Sequence, residues 1–172
     1  NLGRNFSENR KQANLIIGNN VYAHVPDIND FTTGLREALA PDGTITLEFP
    51  HLMRLIEHTQ FDTVYHEHFS YLSLTAVRAV FEQANLRIFD VEQLKTHGGS
   101  LRVYGCHVDD ERSNSNAVAN ILSSEADAGL LSMPTYTTFQ ARANLIKNDL
   151  LQFLIEEQGK GKKVVAYGAA AK

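Results

Sequence analysis

Ala13-Asn14-Leu15-Ile16-Ile17-Gly18-Asn19, then Asp27-Ile28-Asn29-Asp30-Phe31-Thr32-Thr33-Gly34-Leu35-Arg36-Glu37-Ala38-Leu39, then Thr44-Ile45-Thr46-Leu47-Glu48-Phe49 follow one another in this chain. The first is a short apolar run of the kind that forms a buried parallel strand. In the second, Asp27 is placed to cap a helix with Asp30 in its first turn. Ile28, Phe31, Leu35 and Leu39 recur at helical spacing and give that helix one apolar face. Pro41-Asp42-Gly43 stops it and turns the chain into the third stretch, a strand closed by Pro50. Strand, helix and strand in this order make a βαβ unit, whose crossover lets the two strands run parallel.

In open α/β sheets, ligands sit beyond the carboxyl ends of the strands. Just past the 44–49 strand the chain reads Phe61-Asp62-Thr63-Val64-Tyr65-His66-Glu67-His68-Phe69. A phenol, two imidazoles and a carboxylate follow one another from Tyr65 to His68. These are side chains that move protons near neutral pH, so this is the candidate active site. In extended backbone Tyr65 and His68 would point to opposite sides. A turn is therefore required for them to share a pocket, since residues three apart meet on a helical turn.

Further along, Ser73 caps a helix over 75–84 whose Val77, Val80 and Phe81 face inward. Residues 86–91 and 100–106 alternate like half-buried strands and read as an antiparallel hairpin at the sheet edge. Between them, Gly98-Gly99 is either a turn or a place of close backbone approach to a ligand. The polar stretch 109–118 reads as a linker or mobile loop. Tyr136 to Glu157 is a long helical pattern, with Phe139, Ala143, Ile146, Leu150, Phe153 and Leu154 on one side. Gly159-Lys160-Gly161 ends it. Lys163 to Lys172 then reads as a buried strand and a small-residue turn, the start of another βα unit.

The chain has 172 residues, 43% of them hydrophobic and 21% charged, as expected of one globular core with part of a second domain. A net charge of -4 gives no footprint for nucleic acid or an anionic membrane. No apolar run is long enough for a membrane span. The single cysteine, Cys106, has no partner for an internal disulfide, and a reducing cytoplasm is the default compartment. The oligomeric state is not legible. His66-Glu67-His68 lacks the spacing of a helical zinc motif, so no metal site is assigned. His51 and His58 read as surface groups or groups behind the site, and His107 as the end of a strand.

Leu39-Ala40-Pro41-Asp42-Gly43-Thr44-Ile45 resembles the helix-to-strand junction in the second half of class I S-adenosylmethionine-dependent methyltransferases. Glu48-Phe49-Pro50-His51, Gln60 to Tyr71, Thr96 to Arg102 and Tyr167 to Lys172 together look like the sugar C-methyltransferase family, in the right order and over nearly the whole chain. The resemblance implies a fold. Residues 1–108 form the second half of a class I methyltransferase α/β sheet, Rossmann-like, with an antiparallel edge hairpin. Residues 109–135 are a linker. Residues 136–172 are a connecting helix and the first strand of a second Rossmann-like, nucleotide-sugar-binding domain. The family's zinc-binding N-terminal domain and its Gly-rich cofactor loop would lie upstream, so this chain reads as a piece of a longer protein.

The resemblance also implies a function: methyl transfer from S-adenosylmethionine to C-3 of a 4-keto deoxy nucleotide sugar, through an enolate. The alternatives are methylation of another keto substrate on this scaffold, or a module that holds nucleotide or sugar without chemistry. In the enzyme reading His68 is the base, Tyr65 and Glu67 support it, and His24 lies near the transferring methyl group. Asn19 and Asn20, after the first strand, fall beside the methionine part of the cofactor, or else satisfy backbone at the strand end. His97, Gly98, Gly99 and Ser100, with Tyr167, Gly168 and Lys172, are assigned to the substrate, the last group at a phosphate-binding helix start.

Overall fold

A computed structural model of the chain describes residues 12–168. Its centre is a four-stranded sheet in the order β1-β2-β4-β3. The strands are β1 (Ala13–Asn19), β2 (Leu39–Pro50), β3 (Leu86–Leu94) and β4 (Ser100–His107). β1 and β2 are parallel, while β4 is antiparallel to both β2 and β3. Helix α1 (Ile28–Ala38) makes the expected crossover between β1 and β2. Asp27 caps it, accepting from the backbone N–H groups of Asn29 and Asp30. The hairpin β3–β4 is also as expected, and it folds back so that its second strand lies against β2.

One face of the sheet carries the core. Ile45, Leu47 and Phe49 of β2 are buried there with Leu101 and Val103 of β4. Helices α1 and α3 (Leu74–Gln83) cover them, with Leu35, Leu74, Val77 and Phe81 turned inward. Tyr22 is buried among Phe31, Phe49 and Phe81, and its hydroxyl pairs with Thr32 Oγ1 at 2.6 Å. Burial pushes the Tyr22 phenol up to about 12, so it is a packing group and not an acid near neutral pH. Short α2 (Leu52–Glu57) follows β2, and α4 (Asn116–Asp127), α5 (Met133–Thr137) and α6 (Phe139–Gly159) complete the chain. Among the described residues no helix is long and apolar enough to cross a membrane.

Several expectations are corrected. β1 is parallel to β2 but is not fully buried. It is an edge strand among the described residues, and Leu15 and Ile17 on its open face are 55% and 63% exposed. The helix before β2 stops at Ala38, and the strand starts at once at Leu39 rather than after a Pro41-Asp42-Gly43 turn. Ala13 pairs with Leu39 and Leu15 with Thr44, so residues 40–43 bulge out of the ladder. Pro41 has no N–H to give a ladder and disfavours helix at the residue before it, which accounts for both features.

The stretch 109–118 is no loose loop. Arg112 donates to Asp110, Thr44 Oγ1 and the Gly43 carbonyl, and Arg87 donates to Asn114 and the carbonyls of Asp110 and Arg112. Residues 116–127, expected within a linker, form α4, which packs Val118 and Ile121 into the core.

Residues 164–167 are not a strand. A strand needs a partner ladder, and among the described residues none lies beside them: Val165 is 92% exposed. The long helix exists, but of its expected inner face only Ala143 is buried, while Ile146, Leu150 and Phe153 are exposed.

Asp110 braces Arg112, which reaches Thr44 and Gly43 of β2, and the Asp110 side chain is only 9% exposed. The hydrogen bond from the Arg112 guanidinium lowers its carboxyl from 3.8 to about 2. A carboxyl lowered on folding contributes stability above its unfolded value and loses it as pH falls toward the folded value. Between pH 4 and 2 the protein is expected to lose about 1 kcal/mol on this account, after solvent screening. Urea unfolding of Asp110→Asn beside the unsubstituted chain measures it: the Asn variant should lack that part of the acid loss.

Candidate active site

β1 and β2 end side by side, with Asn19 opposite Glu48. Asn20 turns the chain off the sheet with φ 54°, its N–H held by the Glu48 carbonyl at 2.8 Å. A 3-10 turn at Tyr22–His24 then sinks Tyr22 into the core and leaves His24 half-buried above it. The chain leaving β2 passes through α2 and a 3-10 turn at Phe61–Thr63 before reaching Tyr65. The required turn is present: His68 N–H donates to the Tyr65 carbonyl at 3.1 Å. The N–H groups of Phe69 and Ser70 both reach the Ala23 carbonyl, which staples the two segments together.

His24, Tyr65 and His68 therefore share one site at the carboxyl ends of two adjacent parallel strands. The His24 and His68 rings lie 4.7 Å apart between centroids, and those of Tyr65 and His68 4.4 Å apart. The bonding fixes the tautomer. His68 Nδ1 lies 2.9 Å from the Thr63 carbonyl, which only accepts, so Nδ1 carries the proton of the neutral ring. Nε2 is then the basic nitrogen, 3.3 Å from the Tyr65 hydroxyl. His24 is oriented in the same way by the Glu67 carbonyl, 2.8 Å from its Nδ1. Glu67 thus contributes its backbone, while its side chain is exposed. The carbonyl of Thr63, not a carboxylate, orients His68.

Behind His68 the packing is tight. A cavity of about 10 Å³ remains there, walled by Ala23, Pro50, Leu52, Leu55, Ser70 and Tyr71 among others. Val21, Phe61, Val64 and Phe69, on the chain segments that carry the two imidazoles, are exposed. A larger groove of about 710 Å³ lies away from these rings, between α2 and α4–α6, with Arg54, Asp127 and Arg142 in its lining.

The loop before β4 belongs to the same edge of the sheet. Glu48 accepts from Thr96 Oγ1 at 3.1 Å and from Arg102 at 2.8 Å, and His51 N–H donates to the Gly99 carbonyl. Gln60 donates to the Gly98 carbonyl. The segments 48–51, 60–71 and 96–102 thus form one contact unit. The close approach at Gly98 and Gly99 is made to the chain itself: a Cβ would lie 2.2 Å from Gln60 Nε2 at Gly98 and 2.7 Å from Arg54 Cγ at Gly99. Ser100 is buried and donates to the Thr96 carbonyl. His97 stands exposed with φ 51°. Tyr167 and Gly168 are exposed beyond α6 and are not brought to the imidazole cluster. Lys172 lies outside the described residues.

Of the two readings open for His51, a surface group or a group behind the site, the first fails, and its partner was not foreseen. His51 is 1% exposed, with Nε2 2.8 Å from Glu125 Oε1 of α4. A signal existed, since Val118, Ile121 and Glu125 share one helix stripe and an acid on an apolar stripe needs a partner. Burial pushes the Glu125 carboxyl up, but hydrogen bonds from His51, Thr75 and Leu74 outweigh it and hold it below the usual range.

A family model described as a methyltransferase domain matches residues 3–91. The chain belongs to this methyltransferase family. Residues 95–172 match a second model, the C-methyltransferase C-terminal domain. The two matches meet at the end of β3, so the methyltransferase sheet draws its β4 from the second. The chain is 34% identical over 171 residues to C-methyltransferase NovU of Streptomyces niveus; it spans only 41% of that protein's length. Among solved structures it is similar to magnesium protoporphyrin IX methyltransferase (ChlM) from Synechocystis PCC 6803 with bound SAH, at TM-score 0.43 and 11% identity over 56% of this chain and 45% of that one. A chain from the complex with the Haloferax volcanii Trm112 methyltransferase activator gives TM-score 0.48 and 12% identity over 56% and 55%.

Gly99 has φ 122° and sits against Arg54. Gly99→Ala is expected to cost about 1–3 kcal/mol through backbone strain and the clash. Chemical denaturation checks this, with an exposed glycine such as Gly159 changed to Ala as the control that should not lose stability.

Proposed function

We propose that this chain is the catalytic part of an S-adenosylmethionine-dependent C-methyltransferase acting on a 4-keto deoxy nucleotide sugar. The observation that carries the proposal is the bond from His68 Nδ1–H to the Thr63 carbonyl. It leaves Nε2 as a base beside the Tyr65 hydroxyl. The match to a C-methyltransferase C-terminal domain supports a carbon acceptor.

Methylating carbon requires a carbon nucleophile. His68 Nε2 takes the proton from the carbon next to the ketone, and the electron pair of the broken C–H bond delocalises onto the carbonyl oxygen as an enolate. A histidine is suited to this at neutral pH. Substrate displaces the Tyr65 hydroxyl from His68 Nε2, and the freed O–H donates a hydrogen bond to the developing oxyanion. The Thr63 carbonyl stabilises the His68 ring once it is protonated at both nitrogens. The chemistry that S-adenosylmethionine would supply when bound is an electrophilic methyl group: as the enolate's electron pair forms the C–C bond the S–CH3 bond would break, leaving S-adenosylhomocysteine and the restored ketone. His24 packs against His68, and we assign it to the side of the methyl donor.

The chain has groups that fit the cofactor. Asn20 Oδ1 is buried with no partner among the described residues, at the end of β1. Such an acceptor calls for a donor; the amino group of the methionine moiety would provide one, and Asn19 is the second residue we assign to the cofactor. His97 and the Tyr167–Lys172 stretch are the groups we assign to the sugar nucleotide.

In the full-length protein that contains this chain, His68→Asn is expected to lower turnover by about 10²-fold or more. Affinity for S-adenosylmethionine should be unchanged, because His68 does not hold it. Exchange of the substrate's α-hydrogen with deuterated water should fall in parallel. A His68→Asn protein that exchanges and methylates at the parent rate would assign the base elsewhere.

A further inference from the structure

Glu125 reaches from α4 across to two other elements. Its carboxylate, with the side chain 0% exposed, takes Nε2 of His51, the N–H groups of Leu74 and Thr75 at the start of α3, and the Thr75 hydroxyl. As a carboxylate it only accepts, so His51 Nε2 carries a proton and donates. His51 Nδ1 is also buried and has no partner among the described residues.

An arrangement chosen for stability alone would look different. A well-packed apolar pair in place of a buried charged one is often neutral or stabilising. An unsatisfied buried ring nitrogen adds a further cost. What the polar pair supplies instead is direction, because its bonds form in one geometry only.

That geometry bears on the wall behind His68. Pro50 and Leu52, on either side of His51, line the small cavity at His68, as do Ser70 and Tyr71. The two stretches meet where His51 bridges Leu72 and Leu52 N–H donates to the Leu72 carbonyl. His51 also holds the Gly99 carbonyl through its N–H. Glu125 fastens both walls at once, the first through His51 and the second through Leu74 and Thr75.

We propose that His51 and Glu125 are a positioning pair, which touches no substrate but fixes the two walls on which His68 rests and so keeps its Nε2 aimed at the substrate carbon. This rests on His68 being the base. Small displacements of a reacting group are costly, so the pair should govern turnover more than binding.

The test uses the full-length protein with His51→Leu, which removes the donor, and His51→Gln, which keeps a side-chain N–H able to reach Glu125. Turnover, KM for both substrates and thermal unfolding are measured. Long-range ¹H–¹⁵N NMR of histidine-labelled protein reads the His68 tautomer. In His51→Leu, turnover should fall by about 10-fold or more with KM within about threefold, at temperatures where the protein is folded. The Nδ1–H tautomer of His68 should lose its dominance, and His51→Gln should restore both readings. Unchanged turnover and an unchanged tautomer in folded His51→Leu would overturn the proposal, even with a lower melting temperature. If His51→Leu does not fold, His51→Asn, whose amide is too short to reach Glu125, is read in the same way. Failure of every donor-less variant to fold would show a purely structural pair and would also overturn it. The tautomer reading needs no methyl transfer, so it separates failure of this proposal from failure of the proposed function.

Discussion

The Glu125 carboxylate is the constraint around which this chain is assembled. Removing a charge from water costs several kcal/mol unless the interior returns its hydrogen bonds. Here they come from the end of β2, through His51, and from the start of α3, through Leu74 and Thr75. The free N–H groups of a helix start favour a negative charge, so α3 gains its cap from α4 as well as from its own Ser73. The sheet, its covering helix and the first helix of the later segment cannot shift independently without stranding that charge.

The second organising fact is the parallel pairing of β1 and β2. Residues following two adjacent parallel strands emerge at one edge of the sheet, and this brings His24 and His68 together although many residues separate them. The Ala23 carbonyl, holding Phe69 and Ser70, converts that neighbourhood into fixed geometry. Backbone carbonyls of Thr63 and Glu67 then set the proton on Nδ1 of each imidazole. The basic nitrogens follow from main-chain geometry, which a carboxylate partner on a flexible side chain would hold less firmly.

The βαβ unit, the β3–β4 hairpin and the Tyr65–His68 cluster were legible because each rests on local pattern: apolar spacing, a capping aspartate, and four chemically distinctive neighbours; His24 joined the cluster only through the resemblance to the sugar C-methyltransferase family. Other features depend on contacts distant in sequence. Arg112 orders a stretch whose composition alone suggests a loose loop. His51 looked unpartnered because Glu125 lies far along the chain. The close approach of Gln60 to Gly98 and of Arg54 to Gly99 likewise joins segments far apart in the chain. The 164–167 stretch has the composition of a strand, but a strand is a property of a pair, and no partner lies beside it among the described residues. The apolar positions of α6 are likewise helical in period yet largely uncovered.

The proposed function requires that the substrate accept the methyl group on carbon, with the imidazole site generating the nucleophile. The most direct measurement is product NMR from the full-length protein supplied with ¹³C-methyl S-adenosylmethionine and a 4-keto deoxy nucleotide sugar uniformly labelled with ¹³C in the sugar. A one-bond carbon–carbon coupling between the new methyl and the ring carbon next to the ketone is expected. A labelled methyl on oxygen or nitrogen, with no such coupling, would contradict it.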